Sequence, residues 1–299
     1  MAVAQVVELP ARRRAAKAAL AAMRPRQWTK NLLLFAGIVF AAKLGDGIRW
    51  LEAGGAFAAY SMASGAAYLV NDVRDAGYDR LHPVKRLRPI ARGELSPRRA
   101  VPLAAALVVL ALGAAAALGP WSLAFMAAFL ALHAVYTARL KHVVLIDVMA
   151  IAGLFVIRAA AGAEAVDVAI SPWLLLCTAL LALFLGLAKR RGELVLVGAH
   201  RTPGRPVLEG YSLALVDQLV SVVAASTVIA YSLYTFTARD SKTMMVTIPF
   251  VLFGVFRYLL LIQRDDLGEE PENVLLTDRP LIATIALWAA TCAVILAAT

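Results

Sequence analysis

The residues best suited to chemistry in this 299-residue chain lie in one run: Asn71-Asp72-Val73-Arg74-Asp75-Ala76-Gly77-Tyr78-Asp79-Arg80, then His82, Pro83, Lys85, Arg86, Arg88, Pro89 and Arg92. Asp72, Asp75 and Asp79 stand at i, i+3 and i+7. On a helix that spacing places all three within about 60° of one another. Carboxylates stacked on one face repel unless a cation or a basic partner lies between them. Hard oxygen ligands suit Mg2+, which takes one or two carboxylates and completes its shell with water and substrate phosphate. The basic residues that follow suit the remainder of an anionic substrate. The run therefore reads as a Mg2+–diphosphate site at a membrane surface. The plainer alternative is a solvated loop of mixed charge. Surface loops seldom place three acids at helical spacing directly behind an apolar run.

Around this run the chain is apolar. It is 61% hydrophobic and 17% charged, with a mean hydropathy of +0.74. A soluble domain is nearer half apolar and a quarter charged, so the chain reads as an all-α, polytopic membrane protein. The net charge of +10 fits loops beside anionic lipid head groups better than a nucleic-acid partner. Cys177 and Cys292 lie in apolar runs and form neither a metal spacing nor a disulfide framework. The first apolar run begins only near Leu32, after a basic lead, so no cleavable signal is expected.

Two regions are expected. Residues 1–30 form a basic segment whose Ala-rich spacing over 11–23 predicts an amphipathic helix on the membrane surface, with Trp28 at the interface. Residues 31–299 form a bundle of nine spans, at 31–42, 54–70, 98–118, 121–137, 143–162, 172–188, 213–237, 244–262 and 280–298. The first is short of the ~20 residues a helical span needs. Segments 1–30, 71–99, 139–141, 189–205 and 264–279 hold 24 of the 30 lysines and arginines, against four in the alternate loops. That bias predicts a cytoplasmic N-terminus, an outside C-terminus and cytoplasmic motif loops. The chemistry-bearing residues then share one side of the membrane. A carrier of phosphorylated metabolites would instead need a polar route through several spans.

Other constellations leave alternatives open. Tyr136, Arg139, Lys141, His142 and Asp147 meet at the junction of spans four and five. Lys141 and Asp147 read as a substrate-facing pair or as a structural ion pair at a helix end. His82, His133, His142 and His200 lack a second ligand at metal spacing and read as hydrogen-bonded residues. Arg158 lies eleven residues beyond Asp147 on nearly the same face, roughly 16 Å deeper. A guanidinium at that depth faces a cavity or a partner, either an anionic head group or an Asp or Glu of a neighbouring helix. Lys189-Arg190-Arg191-Gly192-Glu193 ends span six, as plain cytoplasmic flanking or as a second phosphate clamp. Arg205, Glu209 and Tyr211 precede span seven, Asp217 lies just inside it, and Arg257 falls within span eight. The acids Asp265, Asp266, Glu269, Glu270, Glu272 and Asp278 read as a solvated loop.

The Asn71-Asp72-x-x-Asp75-x-x-x-Asp79 run after the second of nine spans, followed by Arg88-Pro-Ile-Ala-Arg-Gly93, resembles the UbiA-like intramembrane prenyltransferase superfamily. The resemblance implies a helical bundle around a central cavity open to the cytoplasm and laterally to lipid, with Mg2+ bridging carboxylates and a diphosphate. It also suggests a homo-oligomer, a trimer among the expected assemblies. Ordinary members carry a second Asp-rich motif after span six, where this chain has Lys189-Arg190-Arg191-Gly192-Glu193. That segment, together with Tyr136-Thr-Ala-Arg-Leu-Lys141…Asp147 and Arg257-Tyr258, is similar to the decaprenyl-phosphate phosphoribosyltransferase branch. In that branch 5-phosphoribosyl 1-diphosphate is the donor, and a polyprenyl phosphate is the acceptor. The product feeds cell-wall arabinan synthesis.

On this resemblance, Asn71, Asp72, Asp75 and Asp79 are expected to position Mg2+ on the leaving diphosphate. Lys85, Arg88, Lys189, Arg190 and Arg191 are expected on the donor's phosphates. Asp79 or Asp147 would stabilise an oxocarbenium-like ribosyl centre, with Tyr136 lining the site. Lys30, Lys141 and Arg158 are candidates for the acceptor phosphate. The attacking phosphate oxygen is already anionic, so no general base is required. The rival within the superfamily is prenyl transfer from a prenyl diphosphate to an aromatic or other acceptor, which calls for acids after span six.

Overall fold

A computed structural model describes residues 11–40, 45–81, 84–200, 206–237, 242–264, 274 and 277–298. His82, Arg205 and the acids at 265–272 lie outside the described residues, as does the side chain of His200. Every regular element described is helical. In order these are α1 (Ala11–Ala22), a 3-10 segment (Pro25–Phe35), α2 (Ala36–Phe40), α3 (Gly47–Asp79), α4 (Pro97–Leu118), α5 (Pro120–Ala138), α6 (Ile146–Ala165), α7 (Pro172–His200), α8 (Leu213–Thr237), α9 (Ile248–Arg264) and α10 (Arg279–Ala298). Short 3-10 turns punctuate the loops at Lys85–Leu87, Leu140–His142, Pro206–Gly210 and Lys242–Thr247.

Among the described residues, seven segments are long and apolar enough to cross a bilayer: α4, α5, α6, Pro172–Val195 of α7, α8, Lys242–Arg264 and Arg279–Leu296. They match the third to ninth expected spans. The first two expected spans take a different form. Residues 31–40 are split between the 3-10 segment and the five-residue α2. Residues 54–70 lie inside the 33-residue α3, which carries the acidic run at its C-terminal end. α5 starts cleanly because Gly119, at φ +140°, turns the chain and Pro120 occupies the first helical position.

The chain divides into two compact units, residues 1–29 with 58–114, and residues 30–57 with 115–299. In the first, Ala18 and Ala22 of α1 join Ala66 and Leu69 of α3, Ile90 and Leu95 of the following loop, and Ala100, Ala104 and Leu107 of α4. Met23 packs against Gly65, where a Cβ would approach to 3.3 Å. The first-turn arginines aside, α1 is thus tied down by small apolar residues on one face.

In the second unit α6 is the most enclosed span, with 61% of it buried against 17–28% for the other six. Alanine and glycine make that enclosure possible by letting backbones approach closely without a water-driven core. A Cβ on Gly162 would lie 2.4 Å from the Leu34 carbonyl oxygen and 2.6 Å from its Cα. Gly37 meets Ala163 in the same contact. On the far side, Phe184, Leu187, Val216, Tyr258 and Leu281 link α7, α8, α9 and α10. Val109, Leu110, Val222, Ile229 and Val294 point outward, as lipid-facing side chains do.

Gly162→Ala should destabilise the protein by about 1–3 kcal/mol, because its new methyl meets backbone that cannot rotate away. Gly113→Ala, with open space at its Cα, should be neutral or slightly stabilising as a helical Gly-to-Ala change. Thermal melts in detergent distinguish the two. Equal melting temperatures for both variants would show that the Gly162–Leu34 approach does not constrain the fold.

Candidate active site

The acidic run is the last two turns of α3. Asp72 and Asp79 are buried, while Asn71 and Asp75 are half-buried. The helix ends at Asp79, and the chain returns through a loop that is folded rather than loose. Arg80 donates from Nε to the Ala91 carbonyl at 3.2 Å. The Pro89 carbonyl accepts from the backbone N–H groups of Glu94 and Leu95 at 2.9 and 3.2 Å. Gly93 supplies the left-handed residue at φ +79°. Ile90 and Leu95 anchor the loop in the core of the first unit.

The result is a fixed position for Arg88. Its Nη1 donates to Asp79 Oδ2 at 2.7 Å and to Asp72 Oδ1 at 3.2 Å. Asp72 Oδ1 also accepts from Arg24 Nη2, and the Arg24 guanidinium lies 4.7 Å from the centre of the Tyr68 ring. Burial pushes the Asp79 carboxyl above the ordinary carboxylate range, against the lowering effect of Arg88. Lys85 also acts on it favourably.

No three carboxylate, histidine or cysteine groups among the described residues converge to hold a metal unaided. The donor set nevertheless fits Mg2+. Asp72 Oδ2 is buried without a hydrogen-bond partner, and a magnesium ion needs only one or two carboxylates when substrate and water supply the rest.

In the second unit, Asp147 opens α6 and is fully buried. Its Oδ2 accepts from Arg190 Nε at 2.6 Å and its Oδ1 from the Tyr211 hydroxyl at 2.7 Å. Arg190, one side-chain turn from the end of span six, also pairs with Glu193 through Nη1. The Tyr211 oxygen in turn accepts the Leu145 N–H at 2.7 Å. Burial, and then the hydrogen bond to Asp147, push the Tyr211 hydroxyl pKa up. Tyr211 therefore stays a donor. Arg191 donates to Asp217 at 2.8 Å and to the Ile262 carbonyl at 2.7 Å. Arg257 grips Asp278 with Nε and Nη2 at 3.2 and 2.8 Å. Asp278 also caps α10 through the Leu281 N–H at 2.9 Å, and Arg257 lowers the Asp278 pKa.

Three expectations are thereby corrected. Asp147 takes Arg190 and Tyr211 as partners rather than Lys141. Lys141 sits in the Leu140–His142 turn, on the other side of the Leu145 bend. Arg190 is not an open phosphate clamp, because it is buried and neutralised by two carboxylates. Asp147 has both oxygens engaged by Arg190 and Tyr211, which leaves neither oxygen open for the expected ribosyl role. Lys189, half-buried beside them, keeps its place as a candidate. Tyr136 lies near enough to Arg190 to interact with it electrostatically.

Arg158 is also buried, but its Nε donates to an amide, Asn31 Oδ1, at 2.8 Å, where Asp or Glu was the expected protein partner. Its Nη1 reaches the Leu154 carbonyl at 3.2 Å. The guanidinium lies 4.6 Å from the Phe129 ring centre and 5.3 Å from that of Phe155. Both ring faces attract the guanidinium charge. The charges of Lys30 and Arg158 both act on His133, which places these two acceptor candidates in one neighbourhood.

Four participants were given no individual role from the sequence: Arg24, Asn31, Glu193 and Tyr211. Arg24 looked like one of many interfacial arginines. The only local signal was its place before Pro25, which bars the helical conformation and turns the chain at φ +54°.

The pattern of the UbiA prenyltransferase family matches residues 32–277. A Mycobacterium tuberculosis protein named decaprenyl-phosphate phosphoribosyltransferase is 35% identical over 280 residues, covering 90% of this chain and 91% of the other. The Mycolicibacterium smegmatis protein of the same name is 34% identical over 288 residues, covering 90% and 89%. A UbiA homolog from Archaeoglobus fulgidus, solved with GPP and Mg2+, shares the fold at a TM-score of 0.72 and 20% identity, over 94% of this chain and all of that one.

Arg190→Met should cost about 3–5 kcal/mol, because it strands two buried carboxylates. Adding Asp147→Asn and Glu193→Gln should recover most of that loss, since replacing a buried ionic set whole is often neutral. Denaturation in detergent measures both variants. A single variant as stable as the wild type would remove the triad from the structural framework.

Proposed function

The chain belongs to the UbiA prenyltransferase family, and from that premise we propose that it transfers 5-phosphoribose from 5-phosphoribosyl 1-diphosphate to decaprenyl phosphate, releasing diphosphate. The observation that carries this reading is the near full-length similarity to the mycobacterial proteins of that name. The region after span six supports it. A prenyl-diphosphate donor asks for several free carboxylates there, whereas this segment is mostly basic and its Glu193 is paired with Arg190.

The donor's diphosphate is assigned to the end of α3. Asp72 and Asp79 would hold Mg2+, with Asn71 and Asp75 as further oxygen donors. When bound, the ion neutralises charge that builds on the leaving diphosphate. Arg88 and Lys85 contribute fixed positive charge beside those carboxylates, Arg88 from a position set by the folded loop. Lys189 and Arg191 are assigned to the 5-phosphate, Arg191 only through exchange with Asp217. Tyr136 lines that region. The ribosyl carbon becomes oxocarbenium-like as its bond to diphosphate lengthens, and Asp79 is the carboxylate assigned to stabilise it. The acceptor's phosphate is anionic at neutral pH and attacks without a base. Lys30, Lys141 and Arg158 are assigned to seat it. The reading includes nine spans, a cytoplasmic N-terminus supported by the lysine and arginine bias, a cavity open to the cytoplasm and a homo-oligomeric assembly.

Purified protein in nanodiscs, given Mg2+ and decaprenyl phosphate, should convert phosphoribosyl diphosphate to a lipid heavier by one phosphoribosyl group. Mass spectrometry reads the product. Geranyl diphosphate in place of that donor should give no transfer, and a prenylated product would overturn the proposal. Asp72→Asn should lower turnover about 10²-fold or more, the scale of losing one pre-organised charge contact. Full retained turnover would remove Asp72 from the site.

A further inference from the structure

Asp72, the carboxylate with an unfilled buried oxygen, is held by two guanidinium groups on its other oxygen. One of them, Arg88, belongs to the loop that follows the acidic run and also serves Asp79. The other, Arg24, comes from far earlier in the chain and serves Asp72 alone among the described ion pairs. Its conformation is specialised. It sits at φ +54°, ahead of Pro25, and its backbone N–H closes the end of α1 on the Ala21 carbonyl at 3.1 Å. A non-glycine residue persists there only where its surroundings hold it. The Tyr68 ring beneath the guanidinium and the Asp72 carboxylate beyond it are those surroundings. Both lie on α3, one turn apart, so the ring and the acid present Arg24 with a single receiving face.

The charge count gives this arrangement a consequence. Asp72 and Asp79 carry two negative charges, and Arg24 and Arg88 carry two positive ones. The set is balanced before any metal arrives. A divalent cation entering alone would leave two uncompensated positive charges at buried carboxylates, which is strongly unfavourable. A divalent cation entering with a diphosphate brings its own compensating negative charge, and the guanidinium groups then face phosphate oxygens, their best bidentate partners. Arg24 has the freer stem of the two, because Arg88 is tied to two carboxylates.

We propose that Arg24 is a further donor-positioning residue, and that by occupying Asp72 it makes metal binding depend on simultaneous diphosphate binding. This rests on the assignment of the acidic run as the Mg2+ site. Arg24 holds Asp72 in its binding rotamer while the site is empty. It releases one Asp72 oxygen contact when the metal–diphosphate complex arrives, and turns its donors to the diphosphate. Free Mg2+ is then bound more weakly than its diphosphate complex, and the site loads preferentially with the complex.

The test measures Mn2+ binding to the full chain in detergent by electron paramagnetic resonance, with and without inorganic pyrophosphate and without any turnover. The wild type should bind Mn2+ at least about tenfold more tightly with pyrophosphate than without, as expected for one uncompensated charge pair at a partly solvated site. Arg24→Gln should bind Mn2+ alone about tenfold more tightly than the wild type and lose most of the pyrophosphate dependence. Tyr68→Leu keeps every charge but removes the receiving ring, and should shift in the same direction by a smaller factor. It serves as the second variant if Arg24→Gln does not fold. Arg24→Lys should stay close to the wild type. Unchanged Mn2+ affinity in folded Arg24→Gln, or in Tyr68→Leu where only that variant folds, overturns the proposal. Asp72→Asn separates the two levels. If it abolishes Mn2+ binding while Arg24→Gln has no effect, the metal site stands and the role of Arg24 falls. If Asp72→Asn binds Mn2+ like the wild type, the metal assignment falls as well.

Discussion

A charge removed from water inside an apolar bundle must be matched, and the placement of nearly every ionic group described here follows from that requirement. Arg190 is among the largest fully buried side chains in the protein. It is tolerable there because Asp147 and Glu193 close around it and Tyr211 fills the remaining Asp147 oxygen. Arg158 solves the same problem differently, with an amide acceptor and two aromatic faces. Asp72 and Asp79 solve it with arginines from two separate stretches of chain. These sets fix side-chain positions more firmly than apolar contact between alanine-rich helices can. They are therefore what gives an otherwise smooth bundle a defined chemistry.

Backbone strain gathers at the same places. Three non-glycine residues among those described have positive φ: Arg24 at +54°, Leu145 at +66° and Asp167 at +51°. Such residues cost about 1–3 kcal/mol each unless the surroundings compensate. Each stands in or beside an ionic contact. Arg24 binds Asp72, Leu145 donates its N–H to the tyrosine that holds Asp147, and Asp167 meets Arg49 at 3.3 Å. At Leu145 the link is direct, since the bend aims the N–H at Tyr211 just before α6 begins. Local geometry is set by the polar contact and not by residue preference.

This explains what was legible in the sequence. The seven apolar spans from α4 to α10 follow from hydropathy alone, because a bilayer demands length and greasiness of each segment independently. The acidic run was legible because its spacing is local to one helix. The first expected span was misjudged in form: the packing of Gly162 against Leu34 depends on a helix some 130 residues away. Partners were the least legible. Lys141 is near Asp147 in sequence, yet Arg190, 43 residues on, is the one that binds it. Nothing in a string of residues ranks those two cations. A buried acid selects the cation that brings further hydrogen bonds to complete its desolvated shell, and Arg190 arrives with Glu193 already attached.

The basic segment after span six now has a different meaning from its first impression. Lys189, Arg190 and Arg191 suggest a strongly positive loop. Arg190 is set against Asp147 and Glu193, however, and Arg191 against Asp217. Two of the three cations are therefore matched by three carboxylates. The departure from a second acidic motif consequently acts by subtraction. It leaves Asp147 and Glu193 enclosed by Arg190, and it does not by itself supply a surplus of cations. Asp72 differs from Asp147 in keeping one buried oxygen without a hydrogen-bond partner, whereas both Asp147 oxygens are engaged.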